Sequence, residues 1–467
     1  MTPSRILLVA TARSYRTDEF ARIARALGEE IELWLATDRC HVLAGLWGEE
    51  PGPARAWSLP LDLRAPERAV EQIARLDQTL RATGGRGLDG IVGECDATAY
   101  VAALAAKRLA LPHVSPEAAR TASDKGRSRE ALQAAGVPVP RFERVLEGVD
   151  AVAVASRVGF PCVLKPLLLS MSRGVIRVDD AAGAAVAAAR IRKLLRAQPP
   201  SDDPAARQLL CEAFVPGGEV AVEGLVRGGR FELLAIFDKP DPLDGPFFAE
   251  TIYVTPSRLP EEAQRVVEET VARAAAALGL DEGPIHAELR IPTEPPRLAR
   301  HDGGGRSDVS PSGAAGLSPG FPPVVLEVAA RSIGGLCART LRFGAGMPLE
   351  ELLLRHAARL PIPPPRRERK AAGVLMLPVP RAGVLQAIRG LEAARAVPFV
   401  EDVAITARPG ERLVPLPEGA SYLGFVFSRA PAPDGVEAAL REAGRCLDLD
   451  LDVGLPLTGE VNSPAPG

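Results

Sequence analysis

Residues 324–335 read VVLEVAARSIGG, and they are the most informative stretch of the chain. The pattern predicts an apolar strand with one acid, Glu327, followed by a turn at Gly334 and Gly335. A carboxylate is seldom buried without a partner, so we expect a hard cation beside it. Arg331 follows four residues later, and its guanidinium can bind an anion through two parallel hydrogen bonds. A structural ion pair between Glu327 and Arg331 is the alternative.

A second apolar strand with a lone acid is predicted over residues 285–291. Its acid is Glu288, the expected partner of Glu327 around one cation. His286 precedes Glu288 by two residues, so both side chains lie on one face of the strand. His286 is either a substrate or base residue or a packed, hydrogen-bonded histidine. Residues 293–323, rich in Gly, Ser, Pro and Arg, are predicted to form a flexible insert between the two strands.

Two lysines farther upstream have surroundings that favour phosphate binding. Lys125 lies in the first turn of a predicted helix, where the helix dipole favours an anion. Lys165 ends an apolar strand, so its ammonium needs an anionic partner. The small polar residues 170–174 can fold over phosphates with their N–H groups, although an ordinary hairpin turn has the same composition. Beyond them, Glu212 and Glu219 flank an apolar hinge that can hold adenine and a ribose hydroxyl.

The first 115 residues alternate predicted strands and helices, which is typical of a doubly wound parallel sheet. Residues 11–16 contain no glycine, so no dinucleotide-binding turn follows the first strand, and we do not expect NAD or FAD there. From residue 160 the apolar segments have hairpin spacing and predict antiparallel sheet with packed helices. A linker rich in proline and arginine, residues 361–370, precedes a last α+β module.

The composition predicts a cytoplasmic globular protein of roughly three domains, since the chain has 467 residues, of which 46% are hydrophobic and 25% charged. A formal charge of -3 gives no overall bias toward nucleic acid or anionic lipid. No apolar run is long enough to span a bilayer. The six cysteines have no C-x-x-C pair, and buried free thiols are expected.

Taken in order, these motifs resemble the ATP-grasp superfamily, and the resemblance covers nearly the whole chain. The segment from Phe237 to Pro240, the acid Glu250 and the closing module are more narrowly similar to the bacterial L-amino-acid ligase branch, related to biotin carboxylase and the purine-pathway ligases. The resemblance implies a Rossmann-like pre-ATP-grasp domain, a two-lobed ATP-grasp core and a small α+β C-terminal module. The expected boundaries are 1–115, 116–362 with its small lobe at about 123–215, and 371–467.

The resemblance also implies roles for individual residues. Magnesium, with Mn²⁺ as an alternative, would be bound by Glu288 and Glu327, and Arg331 would stabilise an acyl-phosphate. Many relatives have an asparagine two residues after the second metal acid, where this chain has Ala329. The residues implied for ATP are Lys125, Lys165, Ser172, Arg173, Gly174, Glu212, Ala213, Val215, Glu219 and Lys239.

The implied activity is that of an ADP-forming carboxylate-amine ligase acting on amino-acid or dipeptide-type substrates. Its partners would be a small carboxylate and a small amine, without nucleic acid or membrane, and a homodimer is a family-level expectation. One alternative is a purine-type carboxylating or formylating enzyme. Another, motivated by Ala329, is an ATP-binding module without turnover.

Overall fold

The computed structural model describes residues 2–11, 16–38, 58–299, 321–419 and 421–453. Among these, five cysteines are free thiols, of which Cys162, Cys211 and Cys337 are buried. Cys40 lies outside the described residues, as does the 300–320 part of the predicted flexible insert.

The N-terminal domain has the predicted parallel sheet with helices. Its elements are β1 Ser4–Ala10, α1 Thr17–Leu27, β2 Ile31–Asp38, β3 Ser58–Leu61, α2 Pro66–Gly84, β4 Gly90–Gly93 and α3 Asp96–Leu109. The strand order is β3-β2-β1-β4, with parallel pairing throughout. The strands β2 and β3 lie on one side of β1, and β4 lies on its other side. The strand order therefore reverses between β1 and β4, which is a topological switch point.

The next part of the chain forms a small four-stranded antiparallel sheet with helices. Its elements are α4 Pro116–Ser123, α5 Lys125–Ala134, β5 Phe142–Val145, α6 Ala151–Val158, β6 Cys162–Pro166, β7 Ile176–Val178, α7 Ala181–Arg196 and β8 Leu209–Ala213. The strand order is β5-β8-β6-β7. Ser115 caps α4 through its side chain, and Asp124 caps α5 in the same way, which leaves Lys125 in the first turn of that helix as predicted.

The larger lobe follows with three long strands, four short strands and two α-helices among its described residues. Its elements are β9 Gly217–Arg227, β10 Arg230–Lys239, β11 Ile252–Thr255, α8 Glu261–Ala277, β12 Gly283–Pro292, β13 Val324–Ala329, β14 Arg342–Phe343, β15 Met347–Pro348 and α9 Leu349–Ala357. Residues 293–299, predicted as part of a flexible insert, are instead bound to the small lobe: the N–H of Arg141 donates to the carbonyl of Arg297 at 2.7 Å.

The C-terminal part continues the large lobe's sheet. Its elements are β16 Ala371–Pro378, β17 Gly383–Arg389, α10 Leu391–Ala396, β18 Val400–Ile405, β19 Arg412–Leu413, β20 Tyr422–Ala430, α11 Pro433–Cys446 and β21 Asp448–Asp452. The eight-stranded sheet has the order β13-β12-β9-β10-β11-β16-β20-β18, while β19-β17-β21 form a sheet of their own.

One buried apolar cluster joins the N-terminal domain, the larger lobe and the C-terminal part, since it contains Phe20 of α1, Phe237 of β10 and Phe425 of β20. A separate closing module, expected from the linker at 361–370, is thus only partly observed. The backbone of β11 pairs with that of β16 across the boundary, so the C-terminal strands are hydrogen-bonded to the core. The domain boundaries given above stay a prediction.

Candidate active site

A cleft of about 460 Å³ lies where the N-terminal domain, the two lobes and the C-terminal strands meet. It brings together most of the residues singled out in the sequence. Those that line it are Lys125, Lys165, Ser172, Glu212, Ala213, Val215, Glu219, Glu250, His286, Glu288, Glu327, Arg331, Gly334 and Gly335.

The N-terminal domain faces this cleft with the carboxyl ends of β1 and β4. Thr11 and Arg16 come from the segment after β1, and Glu94 and Asp96 from the segment after β4. Ligands of doubly wound sheets bind at the switch point beyond such strand ends. The topology therefore turns this domain's own binding crevice toward the two lobes.

One end of the cleft is basic. Lys165 at the end of β6 contacts the carboxylate of Glu212 on β8, whose other oxygen accepts from the fully buried Arg129 of α5. Burial disfavours the charge of Glu212, but the two cations still hold its pKa below the usual value. Burial, opposed by Glu212, also lowers the pKa of Lys165. Two cations share a single acid here, which leaves positive charge for an anionic ligand.

Lys125 lies close to this basic cluster and is held less firmly. Its Nζ donates to the carbonyl of Leu169 at 2.8 Å and lies 3.6 Å from a carboxylate oxygen of Glu327. Glu327 is one of the two predicted metal ligands, so the ammonium connects the basic end of the cleft to the acidic one.

The predicted phosphate loop is only partly directed into the cleft. Ser172 lines it, whereas Arg173 donates to the carbonyl of Glu418 and the N–H of Gly174 donates to that of Pro417 at 2.8 Å. Arg173 and Gly174 therefore do not line the cleft in this structure, and their contact with ATP stays a prediction. Gly174 has φ +70, and a Cβ there would come within 2.9 Å of Pro166, so a glycine is required at this turn.

The other end of the cleft is acidic. Lys239 at the end of β10 places its Nζ 2.7 Å from Glu219, 2.8 Å from Glu250 and 3.1 Å from Glu288. Burial opposes the lysine's charge, but these acids raise its pKa well above the usual value. Burial and the neighbouring Glu288 raise the pKa of Glu250, although Lys239 opposes this. Lys239 is thus enclosed by acids, and it does not line the cleft as the ATP-binding prediction implied.

The two predicted metal acids lie directly opposite each other, because Glu288 of β12 pairs with Glu327 of β13 in the antiparallel register. Oxygens of Glu219, Glu250 and Glu288 also lie within 4.8 Å of one another. Clustered carboxylate oxygens are the ligand type that Mg²⁺ prefers. The Lys239 ammonium lies within 3.1 Å of an oxygen of Glu219, Glu250 and Glu288, so the facing pair Glu288 and Glu327 is the better candidate for holding a divalent cation. Ala329, opposite His286, supplies no further oxygen from its side chain.

His286 is bound by acids on both of its nitrogens. Its Nδ1 pairs with the fully buried Glu223, and its Nε2 lies 3.4 Å from Glu288. Burial alone would lower the pKa of His286, but Glu223 and Glu288 raise it to about 9. The imidazole is held by an acid on each nitrogen, which corresponds to the packed, hydrogen-bonded histidine that the sequence left open as one of two alternatives.

Arg331 is held by the N-terminal domain. Its Nε and one Nη donate to the two oxygens of Asp96 at 2.9 and 3.0 Å. The structural pair with Glu327, proposed as the alternative explanation, is not the one that forms. Burial opposes the charge of Arg331, but Asp96 raises its pKa above the usual value.

Sequence reasoning missed Arg129, Asp96 and Arg16. A signal existed for Arg129, which follows Lys125 by four residues and so lies on the same helix face. Asp96 resembles any acid in the first turn of a helix, and only the tertiary fold gives it a partner. Arg16 bridges Glu350, Ser332 and the carbonyl of Ile333 across more than 300 residues of sequence.

Comparison with known families adds to this geometry. Residues 158–298 match the family profile of the ATP-grasp domain, and residues 375–452 match L-amino acid ligase C-terminal domain 2. The chain carries an ATP-grasp domain. The first matched segment supplies Lys165, Glu212 and Glu288 to the cleft, and the second supplies Tyr422 and Phe425.

Individual proteins are similar over different lengths. Alanine--anticapsin ligase of Bacillus subtilis (strain 168) is 29% identical over 238 residues, covering 48% of each chain. Carnosine synthase 1 of Gallus gallus is 30% identical over 456 residues, which cover 92% of this chain and 43% of that protein. The chain thus spans less than half the length of these two ATP-grasp relatives.

Among solved structures, an L-amino acid ligase from Bacillus licheniformis is similar in fold, with a TM-score of 0.73 and 24% identity over 97% of this chain and 100% of that one. Within the described residues, none of the helices has the length and apolar character that crossing a bilayer requires.

Proposed function

We propose that this ATP-grasp protein is an ADP-forming ligase that joins a carboxylate to an amine. The observation that carries the proposal is the polarity of one cleft. Lys165 and Arg129 share Glu212 at one end, while Glu288 and Glu327 lie face to face at the other. Such a gradient fits a polyphosphate bound together with a divalent cation.

The reaction would proceed in two steps. A carboxylate oxygen forms a bond to the γ-phosphorus of ATP while the bond from that phosphorus to the bridging oxygen breaks, and ADP leaves. The amine nitrogen then attacks the acyl carbon, phosphate departs with the electron pair of the broken C–O bond, and the nitrogen loses a proton. Catalysis of this kind rests on positioning and charge stabilisation, with no covalent bond to the protein.

The residues of the cleft can be given roles in binding ATP, in binding the metal and in transferring the phosphoryl group. Lys125, Lys165 and Ser172 would hold the phosphates. Glu212, Ala213 and Val215 would frame adenine, and Glu219 would accept a ribose hydroxyl. Magnesium, which neutralises phosphate charge when bound, would be held by Glu288 and Glu327. Arg331 would stabilise the charge on the transferred phosphoryl group.

Amino acids or short peptides are the proposed substrates, with support from the C-terminal domain match and from the relatives named above. The cleft is large enough for more than a nucleotide phosphate chain, and the C-terminal strand residues Tyr422 and Phe425 line it. These side chains would contact the part of a substrate that does not react.

The test is ADP release with Mg-ATP across a matrix of free amino acids, taken singly and in pairs, with Glu327→Ala as the control. Release that requires one particular pair, and that is absent in the control, supports the proposal and names the substrates. Release only with a phosphorylated amine would favour the purine-type reaction instead. ATP binding without ADP release in any mixture would favour a binding module.

A further inference from the structure

The contact between Asp96 and Arg331 joins two parts of the chain that are 235 residues apart in sequence. Asp96 begins α3, immediately after the switch-point strand β4, and Arg331 follows β13 of the large lobe. The two hydrogen bonds are parallel, at 2.9 and 3.0 Å, which is the geometry that fixes the plane of a guanidinium. The N-terminal domain therefore sets the orientation of a side chain that belongs to the ATP-grasp core.

The same domain also holds the backbone beside Arg331. Arg16, in the segment after β1, donates to the Ser332 hydroxyl at 2.9 Å and to the Ile333 carbonyl at 3.0 Å. Its guanidinium is in turn bound to the buried Glu350. The segment after β4 thus fixes the side chain of Arg331 through Asp96. The segment after β1 fixes the Ser332 hydroxyl and the Ile333 carbonyl through Arg16.

The pairing leaves part of the guanidinium available. Arginine has five N–H groups, and the described residues accept from three of those on Arg331: two donate to Asp96 and one to the carbonyl of Ser332 at 3.2 Å. The two that remain are on the terminal nitrogens. Arg331 also lines the cleft beside Glu288 and Glu327, where a phosphoryl group held by a metal would lie.

We propose that Asp96 is a positioning residue for catalysis: by fixing one edge of the Arg331 guanidinium, it directs the remaining N–H groups at the phosphoryl group in transfer. This inference rests on the proposed ligase function and extends it, because it makes the N-terminal domain part of the phosphoryl-transfer machinery. Asp96 acts through Arg331 and does not itself touch the reacting atoms.

The test uses a double-mutant cycle of Asp96→Ala and Arg331→Ala in the full chain. With the amino-acid pair that gives ADP release, Asp96→Ala is expected to lower kcat about 30-fold and to change KM for ATP less than threefold. In the Arg331→Ala background the same change should have no further effect on kcat. An equal loss in both backgrounds would show that Asp96 acts on substrate directly, and would overturn the proposal. Asp96→Glu should restore part of kcat, because it returns the carboxylate.

A second readout needs no amino-acid substrate. Aluminium fluoride with Mg-ADP mimics a phosphoryl group in transfer, and its binding is measured as a rise in Tm above that given by Mg-ADP alone. The parent should show this rise, whereas Asp96→Ala and Arg331→Ala should lose it and keep the effect of Mg-ADP. If Asp96→Ala retains the full rise, or if the parent shows none, the positioning role is wrong.

A matched control is Asp402→Asn. Asp402 also pairs with an arginine, Arg339, at 3.1 Å, but its side chain is 44% exposed and the pair does not line the cleft. This variant should behave as the parent in both assays. The two readouts also separate the hypotheses: an aluminium fluoride effect that depends on Asp96, without ADP release from any amino-acid pair, would retain the positioning role and reject the amino-acid substrates.

Discussion

The two ends of the cleft are built from the same kinds of side chain in opposite proportions. At the basic end, Arg129 and Lys165 share the single acid Glu212. At the acidic end, Lys239 is surrounded by three carboxylates. Burying a charge is unfavourable unless an opposite charge lies beside it, and in both clusters each of these charges has such a partner. The basic cluster nevertheless has more cations than acids, and the acidic cluster has more acids than cations. This excess charge indicates, more than any single residue does, that the basic end can accept an anionic ligand and the acidic end a cation.

The largest expected effect is at the acidic end. Glu288→Gln or Glu327→Gln should lower the rate of ADP release at least 1000-fold, about 4 kcal/mol, because either change removes an oxygen charge that would hold the divalent cation. The rate is measured as ADP release at saturating Mg-ATP. The exposed Glu294, just beyond β12, offers a control, and Glu294→Gln should leave the rate unchanged. Activity of either metal-acid variant within tenfold of the parent would remove those acids from the metal site.

The next effect concerns stability and contrasts the two ends directly. Glu212→Gln should lower the free energy of unfolding by about 3 kcal/mol, because it leaves Arg129 and Lys165 buried without an acid. Glu250→Gln should cost less, since Lys239 keeps two other acids and the pKa of Glu250 is already raised by burial and by Glu288, against the opposing effect of Lys239. Urea denaturation at pH 7 measures both. If the two variants lose the same free energy of unfolding, the additional acids around Lys239 do not compensate for the loss of Glu250.

The sequence predicted the residues of both ends better than it predicted their partners. A lone acid in an apolar strand, such as Glu288, or a lysine at a strand end, such as Lys165, is conspicuous because burying it alone is unfavourable. Arg129 and Asp96 lie in helices, where charged residues are ordinary, and the four-residue spacing of Arg129 from Lys125 is the one local signal for either of them. Their roles depend on contacts with Glu212 and Arg331, which only the fold brings near.

The fold shows the same limit. The helices Thr17–Leu27 and Ala181–Arg196 lie in the two regions where the sequence predicts helices, since their apolar spacing is a local property. That β16 and β20 would extend the core sheet was not predictable, because strand pairing depends on contacts distant in sequence. The same applies to residues 293–299, whose polar composition suggested a flexible loop while their backbone pairs with the small lobe.

A third prediction uses pH to separate two histidines. His286 has a folded pKa of about 9, set by burial against Glu223 and Glu288, and an ordinary unfolded value of 6.5. Its contribution, about 3 kcal/mol, is therefore complete below pH 6.5 and is lost as pH rises through 9. His286→Gln should flatten the fall in unfolding free energy between these values, as measured by urea denaturation at several pH values.

His356 provides the opposite case. Burial lowers its pKa to about 4 despite the nearby Glu282, so the unfolded chain binds more protons between pH 4 and 6.5. Stability should rise with pH through that window, and His356→Gln should remove the rise without altering the behaviour above pH 7. If His286→Gln changes the same acidic window instead, the assignment of the charged imidazole at the acidic end is wrong.

The smallest effect is expected for Lys125, which links the two ends. Lys125→Met should raise KM for ATP about tenfold, near 1.4 kcal/mol, with little change in kcat, because the ammonium would bind phosphate in both the ground and transition states. Stability should change little, since its bonds are one carbonyl at 2.8 Å and one acid at 3.6 Å. Lys107→Met on the exposed face of α3 is the matched control and should leave KM unaltered. If Lys125→Met lowers kcat and leaves KM alone, the lysine stabilises the transferred phosphoryl group, and the catalytic part of the cleft extends from the acidic end into the basic one.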